Sequence, residues 1–266
     1  MKVKANAKIN LYLDILSKRS DGYHNIKTVI QEISLADELE IIPNGSGEIR
    51  LKITGPFAIP VASNNLIFRA CKLVRKTFGI TEGVNISLKK NIPVGAGLGG
   101  GSSDAAATVK ALAKLWHLDI SRLNLSALGA DVPFFIFGGR MLAEGIGTKL
   151  TPIGSYQKQN IILVYPDMHI STKDAYKNLN LELTTSKKKC SITYLFNKFE
   201  DSIFKAVPKV KKIKKEIITL GAEAALMSGS GSSVFGIVSS SEAAESIKIK
   251  LTDKHKKYSV WNLNTL

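Results

Sequence analysis

The chain has 266 residues, enough for one large domain or two modest ones with a sizeable hydrophobic core. Its 44% apolar and 22% charged residues are typical of a globular protein and exclude a largely disordered chain. It contains no run of about 18 uncharged apolar residues, and its first residues precede no apolar signal core. The sequence therefore predicts a soluble, cytoplasmic protein without a membrane partner.

The formal net charge of +15 is the compositional extreme, and lysines concentrate in the second half of the chain. A basic surface suits nucleic acid, an acidic membrane or small polyanions, so the charge alone does not choose among them. Val207, Val210, Ile213, Ile217 and Ile218 recur at helical spacing among these lysines, which favours the solvated face of an amphipathic helix over a nucleic-acid patch. The two cysteines and four histidines show no ligand spacing, so neither a disulfide framework nor a zinc site is predicted.

Apolar periodicity predicts the following elements in chain order. Strands are expected at 3–7, 11–16, 28–34, 37–42 and 48–54, with turns at 21–22 and 44–45. A helix at 65–78 and a strand at 84–89 precede a glycine-rich run and a helix that ends at Trp116. Next come a helix at 121–128, an apolar strand at 134–141, a buried strand at 161–165 and helices at 174–179, 194–203 and 208–220. The chain then has a strand pair at 224–227 and 234–238 and a helix at 241–251.

The glycine-rich run is followed at once by an alanine-rich helix former. Its five glycines let the backbone approach a ligand, and the helix N-terminus behind them offers unpaired N–H groups and partial positive charge. Phosphate is the natural occupant of such a site. We therefore predict a cradle for nucleotide phosphates, formed by Pro93, Val94, Gly95, Ala96, Gly97, Leu98, Gly99, Gly100, Gly101, Ser102 and Ser103.

Other glycine loops fit this run less well. A Walker A loop needs a lysine after its last glycine, but Gly101 and Ser102 follow Gly100. The run matches the dinucleotide pattern G-x-G-x-x-G, which is a weak signal here because no second strand ends in an acidic residue near Asp119. Protein kinases need His-Arg-Asp and Asp-Phe-Gly triplets, which the chain lacks. A plain flexible turn is disfavoured by the adjoining hydroxyls and helix.

A second glycine- and serine-rich tract, at 228–233, lies between the two strands predicted at 224–227 and 234–238. A simple connection needs only one or two glycines, so this composition suggests backbone close to a ligand. Read alone, the tract is more often an ordinary loop. The two tracts together strengthen the prediction of a ligand site.

Three stretches together resemble the GHMP small-molecule kinases: AKINL at 7–11, the run at 93–103 and MSGSGS at 227–232. Within that family, KIN at 8–10, DGYH at 21–24 and GADVPFF at 129–135 are similar to the members that phosphorylate 4-diphosphocytidyl-2-C-methyl-D-erythritol in non-mevalonate isoprenoid biosynthesis. The similarity extends over nearly the whole chain, and the motifs are specific as a set.

The resemblance implies an α+β, two-domain GHMP kinase fold. Residues 1–154 would form a domain like the second domain of ribosomal protein S5, and residues 155–266 a ferredoxin-like domain, with the active site between them. The reaction implied is transfer of the γ-phosphoryl group of ATP, accompanied by Mg²⁺, to the substrate's 2-hydroxyl. A nucleic-acid partner is not implied, although an RNA-binding protein is the rival that the charge suggests. Oligomeric state is not predicted.

The family's functional residues map onto specific positions of this sequence. Asp131 would be the general base on the substrate hydroxyl, and Lys8 would polarise that hydroxyl and steady developing charge. Without the motifs, a helix-capping or turn carboxylate at Asp131 and a strand-edge lysine at Lys8 would be the simpler interpretations. Tyr23 and His24 would hold the cytosine, since an aromatic face and an imidazole edge suit that base.

Two further residues are assigned by the resemblance more weakly. Tyr176 resembles the aromatic residue that covers the other face of the base, although a helix-surface tyrosine is almost as good an interpretation. Asn10 is a candidate substrate contact. Metal ligands stay open: Ser102 and Ser103 could reach phosphate or metal, and Asp104 suits either the first turn of a helix or a distant metal contact.

Overall fold

The computed structural model describes residues 1–154, 156–177, 179 and 195–266. The strands are β1 (Lys2–Lys18), β2 (His24–Asn44), β3 (Ile49–Thr54), β4 (Gly83–Lys89), β5 (Arg140–Gly145), β6 (Lys149–Pro152), β7 (Asn160–Tyr165), β8 (Phe196–Asn197), β9 (Ala224–Met227), β10 (Val234–Val238) and β11 (Ser259–Asn264). The helices are α1 (Leu66–Phe78), α2 (Gly100–Leu115), α3 (Val132–Phe137), α4 (Thr172–Lys177), α5 (Glu200–Ala206), α6 (Pro208–Thr219) and α7 (Ser241–Lys254). None of the described helices is both long and apolar enough to cross a membrane.

The chain divides into two compact units that interleave along the sequence. The first unit comprises Met1–Ala7, Leu35–Val94 and Gly99–Gly138, and the second comprises Lys8–Ser34, Gly95–Leu98 and Gly139–Leu266. The domain boundary expected between residues 154 and 155 stays a prediction.

In the first unit, helices α1 and α2 pack on each other. β3 pairs in parallel with β4, and β4 pairs antiparallel with the second half of β2. α1 starts where Asn65 accepts a hydrogen bond from the backbone N of Ile67, and it ends at Gly79 in the left-handed region. Its buried face includes Ala70 and Val74, so helical spacing of small and branched apolar residues directs it to the core.

The second unit is built on an antiparallel sheet in the order β11-β7-β10-β9. In the same unit, the first half of β2 pairs with β5, and β5 pairs with β6. β8 pairs in parallel with β1 through Tyr12 and Phe196. The core holds buried apolar residues from the sheet and from α6 and α7, including Val164, Ile213 and Ile247.

The amphipathic helix expected among the lysines is confirmed by α6. Val210, Ile213 and Ile217 are buried, and the lysines between them lie on the other side. Ile218 is an exception, since 44% of it is exposed. Lys187–Lys189 and Cys190 lie outside the described residues.

Several element predictions were wrong in their bounds. β1 and β2 are each continuous where two strands were expected, because the intervening residues are also mostly buried and leave no solvent-facing break. β6 and β11 were not predicted. α4 ends at Lys177, and residue 178 of the helix expected at 174–179 lies outside the described residues.

Other predictions named the wrong type of element. The helix expected at 121–128 is two short 3-10 turns, Ile120–Arg122 and Leu125–Ala127. The strand expected at 134–141 is the helix α3 followed by β5, because Pro133 favours a helix start and a short apolar run does not distinguish the two types. The helix expected at 194–203 is β8 followed by α5, and its first residue, Tyr194, lies outside the described residues.

Candidate active site

The predicted phosphate cradle leads directly into α2. Gly99 takes the N-cap position with φ at 71°, and no side chain caps this helix. The first N–H groups of a helix have no acceptor within it, and Gly101 and Ser102 in the first turn are at least partly exposed. These donors and the helix dipole can therefore hold an anion at the start of α2.

In the second unit, residues 95–98 of the cradle pack against the Ser228–Ser233 loop. The Ser228 hydroxyl donates to the carbonyl of Gly97 over 2.9 Å, and the backbone N of Ser233 donates to the carbonyl of Ala96 over 3.3 Å. A Cβ added to Gly97, whose φ is 77°, would lie 2.1 Å from the Ser228 carbonyl oxygen. Only glycine allows the two loops to approach this closely.

His169 covers another part of the cradle and was not singled out from the sequence. A Cβ added to Gly95 would lie 2.1 Å from His169 Cδ2. The imidazole is exposed to solvent. Gly95 therefore makes room for a side chain that no motif identified.

Lys8 lies on β1 in the second unit, next to Leu98 of the cradle, and only 5% of it is exposed. Its backbone N donates to the carbonyl of Leu98 over 3.0 Å, and its Nζ donates to Asn10 Oδ1 over 2.5 Å. A Cβ added to Gly229 would lie 3.3 Å from Lys8 Nζ. The second unit thus brings the Lys8 ammonium, part of the cradle and the Ser228–Ser233 loop together.

Asn10 is buried, and its side-chain amide is engaged on both sides. Its Oδ1 accepts from Lys8, and its Nδ2 donates to Thr28 Oγ1 over 2.8 Å. Thr28 in turn donates to the carbonyl of Tyr12 over 2.6 Å. In this structure Asn10 orients Lys8, and its expected contact with substrate stays a prediction.

Asp131 belongs to the first unit, at the N-cap position of α3. Its carboxylate makes no capping hydrogen bond to the helix, although capping was the simpler interpretation of this residue. Two residues earlier, a Cβ added to Gly129 would lie 3.6 Å from Ser102 Oγ. The segment that carries Asp131 therefore lies beside the first turn of α2 within the first unit.

Known proteins are similar to this chain over most of its length. Residues 65–139 match the model of the GHMP kinases N terminal domain, and residues 180–257 match that of the GHMP kinases C terminal domain. A 4-diphosphocytidyl-2-C-methyl-D-erythritol kinase from Geobacillus sp. (strain WCH70) is 43% identical over 89% of this chain and 87% of its own. One from Acetivibrio thermocellus is 40% identical over 91% of each chain.

The chain belongs to the GHMP kinase family. A crystal structure of 4-(cytidine 5'-diphospho)-2C-methyl-D-erythritol kinase superimposes with a TM-score of 0.85 at 31% identity, covering 100% of this chain and 99% of the other. The L. major mevalonate kinase structure, at 19% identity and a TM-score of 0.71, shares the fold. The α+β, two-domain GHMP kinase fold and the family resemblance predicted from the motifs are confirmed.

The residues expected to hold a cytosine lie in the second unit of this GHMP kinase. The rings of His24 and Tyr176 stack on each other with centroids 4.6 Å apart and an interplanar angle of 22°. A base between two rings needs roughly 7 Å, twice an ordinary contact distance, so none fits between these two as they stand. Tyr23, which is 60% exposed, presents an open aromatic face instead. Burial, followed by the nearby charge of Lys18, lowers the pKa of His24.

A buried charge cluster behind the cradle was only partly foreseen. In the first unit, Lys90 Nζ donates to a carboxylate oxygen of Asp37 and, over 2.7 Å, to Asp104 Oδ2. Asp37 Oδ1 also accepts from the backbone N of Asn91 over 2.6 Å and of Ile92 over 2.8 Å. The cluster ties the chain that enters the cradle to the helix that leaves it. A buried lysine among KKNIP gives no sequence signal, since lysines are usually exposed.

The carboxyl group of Asp104 in this cluster has a raised pKa. Burial raises the pKa of Asp104 to about 8, and the Asp37 charge adds to that rise although Lys90 opposes it. Asp104 Oδ1 has no hydrogen-bond partner among the described residues. The other oxygen, Oδ2, accepts from Lys90, so Asp104 is an internal partner of that lysine.

The described residues include no group of three or more His, Cys, Asp or Glu side chains placed to hold a metal ion. Mg²⁺ needs no such cage when it accompanies a nucleotide, because substrate phosphates and water supply most of its ligands. The partly exposed Ser102 hydroxyl in the first turn of α2 fits this limited requirement, whereas the buried Asp104 does not.

Proposed function

We propose that this chain transfers the γ-phosphoryl group of ATP to the 2-hydroxyl of 4-diphosphocytidyl-2-C-methyl-D-erythritol, giving the 2-phosphate and ADP. The observation that carries the proposal is 43% identity over 89% of the chain with a kinase of that name. The approach of Lys8 to residues 95–98 of the cradle and to the Ser228–Ser233 loop supports it, because phosphoryl transfer requires positive charge near the phosphates.

Phosphoryl transfer asks a protein mainly to position its reactants and to stabilise charge. We assign the phosphates to the cradle, where the backbone N–H groups at the start of α2 donate to them. Mg²⁺, bound with the nucleotide and contacted by Ser102, would neutralise charge on the phosphate oxygens. Lys8, oriented by Asn10, holds the acceptor hydroxyl and the developing negative charge, as a positioned cation does in such sites.

Asp131 is the proposed general base. Its side chain is not used to cap α3, so the carboxylate has acceptor capacity for the proton of the 2-hydroxyl. Its segment lies beside Ser102 and the start of α2. This supports a base next to the phosphate end of the site.

The experiment is a coupled assay of ADP release with ATP and the cytidylylated alcohol, run on the wild type and on Asp131→Asn. General-base removal typically costs on the order of 10²–10⁴ in rate, so kcat should fall by that factor while calorimetry still detects ATP binding. Homoserine and mevalonate, offered as alternative acceptors, should not turn over. Wild-type kcat in Asp131→Asn would remove this residue from the chemistry, and turnover of either alternative alcohol would replace the proposed substrate.

The cytidine end of the substrate is assigned to Tyr23 and His24. Because the pKa of His24 is lowered, its imidazole is neutral at pH 7 and offers one donor and one acceptor to the edge of cytosine. His24→Ala should raise KM for the cytidylylated alcohol at least tenfold and leave KM for ATP within about twofold. Loss of the hydrogen bonds between the imidazole and cytosine should cost about 1.4 kcal/mol or more of binding free energy, which corresponds to a factor of ten. Equal changes in both KM values would contradict the assignment.

A further inference from the structure

Asn197 lies under the Ser228–Ser233 loop in the second unit and is only 4% exposed. Its Nδ2 donates to the carbonyl of Met227 over 2.7 Å and to the carbonyl of Gly229 over 2.8 Å. Its Oδ1 accepts from the backbone N of Phe199 over 2.9 Å. The side-chain NH₂ group of Asn197 therefore donates to both carbonyls that flank Ser228.

A second side chain from the same short segment supports this backbone. Glu200 Oε1 accepts from the backbone N of Met227 over 2.9 Å, and its Oε2 accepts from Lys214 Nζ over 2.6 Å. The donor and acceptor groups at Met227 are thus both taken by residues of β8 and the start of α5. β8 itself is fixed through its pairing with β1, the strand that carries Lys8.

The peptide that Asn197 holds contacts two parts of the proposed site. The Ser228 hydroxyl donates to the carbonyl of Gly97 in the cradle, and Gly229 leaves just enough space for Lys8 Nζ. These contacts are close: a Cβ added to Gly97 would lie 2.1 Å from the Ser228 carbonyl oxygen, and one added to Gly229 would lie 3.3 Å from Lys8 Nζ. A shift of a few tenths of an ångström at Ser228 or Gly229 would therefore change the packing against both Gly97 and Lys8.

We infer that Asn197 is a positioning residue for phosphoryl transfer: by holding the carbonyls of Met227 and Gly229, it sets the Ser228–Gly229 peptide against Gly97 and Lys8. It acts through the loop and touches no reacting atom. The inference rests on the proposed function for its kinetic consequence, whereas the anchoring itself does not depend on which substrate is used.

The decisive variant is Asn197→Asp, which keeps the size of the side chain and the acceptor for Phe199. An ionised carboxylate would face the carbonyls of Met227 and Gly229 with an oxygen in place of two N–H donors, and the loop would be pushed away. At pH 8.5 we expect kcat to fall at least tenfold, with KM for the acceptor alcohol changed less than threefold.

The pH profile separates positioning from general damage. Burial beside the carbonyls of Met227 and Gly229 would raise the pKa of the new carboxyl group well above its ordinary value. Its protonation between pH 8.5 and pH 6 restores one O–H donor, so the activity of Asn197→Asp relative to wild type should rise severalfold over this range. Ile247→Val, a core change in the same unit away from the loop, controls for lost stability and should keep kcat within twofold at both pH values. A flat ratio across this range, or wild-type kcat at pH 8.5, would overturn the inference.

Asn197→Ser covers the case in which the aspartate variant fails to fold. It retains one small donor, so it should fold and lose kcat severalfold without the pH recovery. Hydrogen exchange read by mass spectrometry gives a readout that needs no substrate: amides in 227–231 and 95–98 should exchange at least tenfold faster than in wild type. Unchanged exchange and kcat in this variant would refute the anchoring role, whereas an inactive wild type with faster exchange in the variant would refute only the proposed function.

Discussion

The two glycine- and serine-rich loops have similar compositions and opposite environments. Ser228, Ser232 and Ser233 are 0% exposed, whereas the cradle leaves Val94 and Gly101 open to solvent. A long helix, α2, starts directly behind the cradle, but the second loop joins two antiparallel strands. The exposed part of the cradle can therefore receive the proposed ligand, whereas the second loop packs against residues 95–98 of the cradle.

The serine hydroxyls of the second loop are mostly used in hydrogen bonds within the protein. In the second loop, Ser228 donates to Gly97, Ser232 donates to the carbonyl of Met168 and Ser230 bonds to Thr172 over 2.9 Å. Only the Ser233 hydroxyl lacks a partner among the buried polar atoms of that loop in the described structure. Composition therefore does not separate a ligand loop from its support, because glycine serves close approach to protein backbone as well as to phosphate.

The largest effect is expected where the two loops touch, at Gly97. In Gly97→Val the new side chain would meet the Ser228 carbonyl and would have to adopt a positive φ. Overpacking and the left-handed conformation together should lower the free energy of unfolding by about 3–5 kcal/mol. Calorimetry on the fraction that circular dichroism shows to be folded should detect no ATP binding.

Gly101→Ala is the matched control within the cradle. A Cβ there meets only Leu66 Cδ1 at 3.6 Å, so stability should be unchanged or slightly higher, since alanine favours a helix by about 1 kcal/mol. If this variant were destabilised as much as Gly97→Val, the distinction between a supported and a ligand-facing part of the cradle would fail.

The next effect compares one serine from each loop. Ser232→Ala leaves the carbonyl of Met168 without its donor in a buried place and should cost about 1–3 kcal/mol of unfolding free energy. Ser102→Ala, in the partly exposed first turn of α2, should change stability by less than about 0.5 kcal/mol and weaken ATP binding about tenfold. Thermal unfolding and calorimetry on both variants measure the two effects. Interchanged results would mean that the second loop receives the ligand.

Much of this fold was predictable because its strongest signals are local. The helix at 65–78 follows from Asn65 as a cap and the spacing of Ala70 and Val74, and the start of α2 follows from glycines placed before alanines. α3 was mistaken for a strand because a six-residue apolar helix contains too few turns to show a period. The continuity of β1 was missed because the buried polar residues Lys8 and Asn10 resemble a break in an apolar pattern. In β2, two strands were expected on either side of residues 35–36, although the strand runs through them.

The motifs in the sequence predicted the residues of the candidate site, but they did not predict the residues that hold those motifs in place. Lys8, Asp131 and the cradle come from sequence stretches whose residue types are rare in combination. Lys90 bonds to the carboxylates of Asp37 and Asp104, and Asn197 bonds to the backbone carbonyls of Met227 and Gly229. These partners are distant in the sequence, so no motif spacing identifies them. The stacking of His24 on Tyr176 is likewise a tertiary contact between residues more than one hundred positions apart.

The last effect depends on pH and tests the different supports of the two loops. The second loop is held by the neutral amide of Asn197, whereas the helix behind the cradle is held by Lys90 and Asp104. The pKa of Asp104 is raised to about 8, above its value of roughly 3.9 in an unfolded chain, so its contribution to stability is present at low pH and is lost as pH rises toward 8. Asp104→Asn removes this proton uptake and keeps the shape of the side chain.

Denaturant unfolding at pH 5, 6, 7 and 8 should therefore show the wild type losing stability relative to Asp104→Asn, with a slope of up to about 1.4 kcal/mol per pH unit. Asp253→Asn, whose side chain is 75% exposed, controls for the loss of one carboxylate and should show no comparable slope. A flat difference between wild type and Asp104→Asn would mean that Lys90 keeps Asp104 ionised throughout. The helix at the cradle would then be held by an ion pair over the whole pH range. The two loops would differ in the charge of the groups that hold them, and neither would be sensitive to pH.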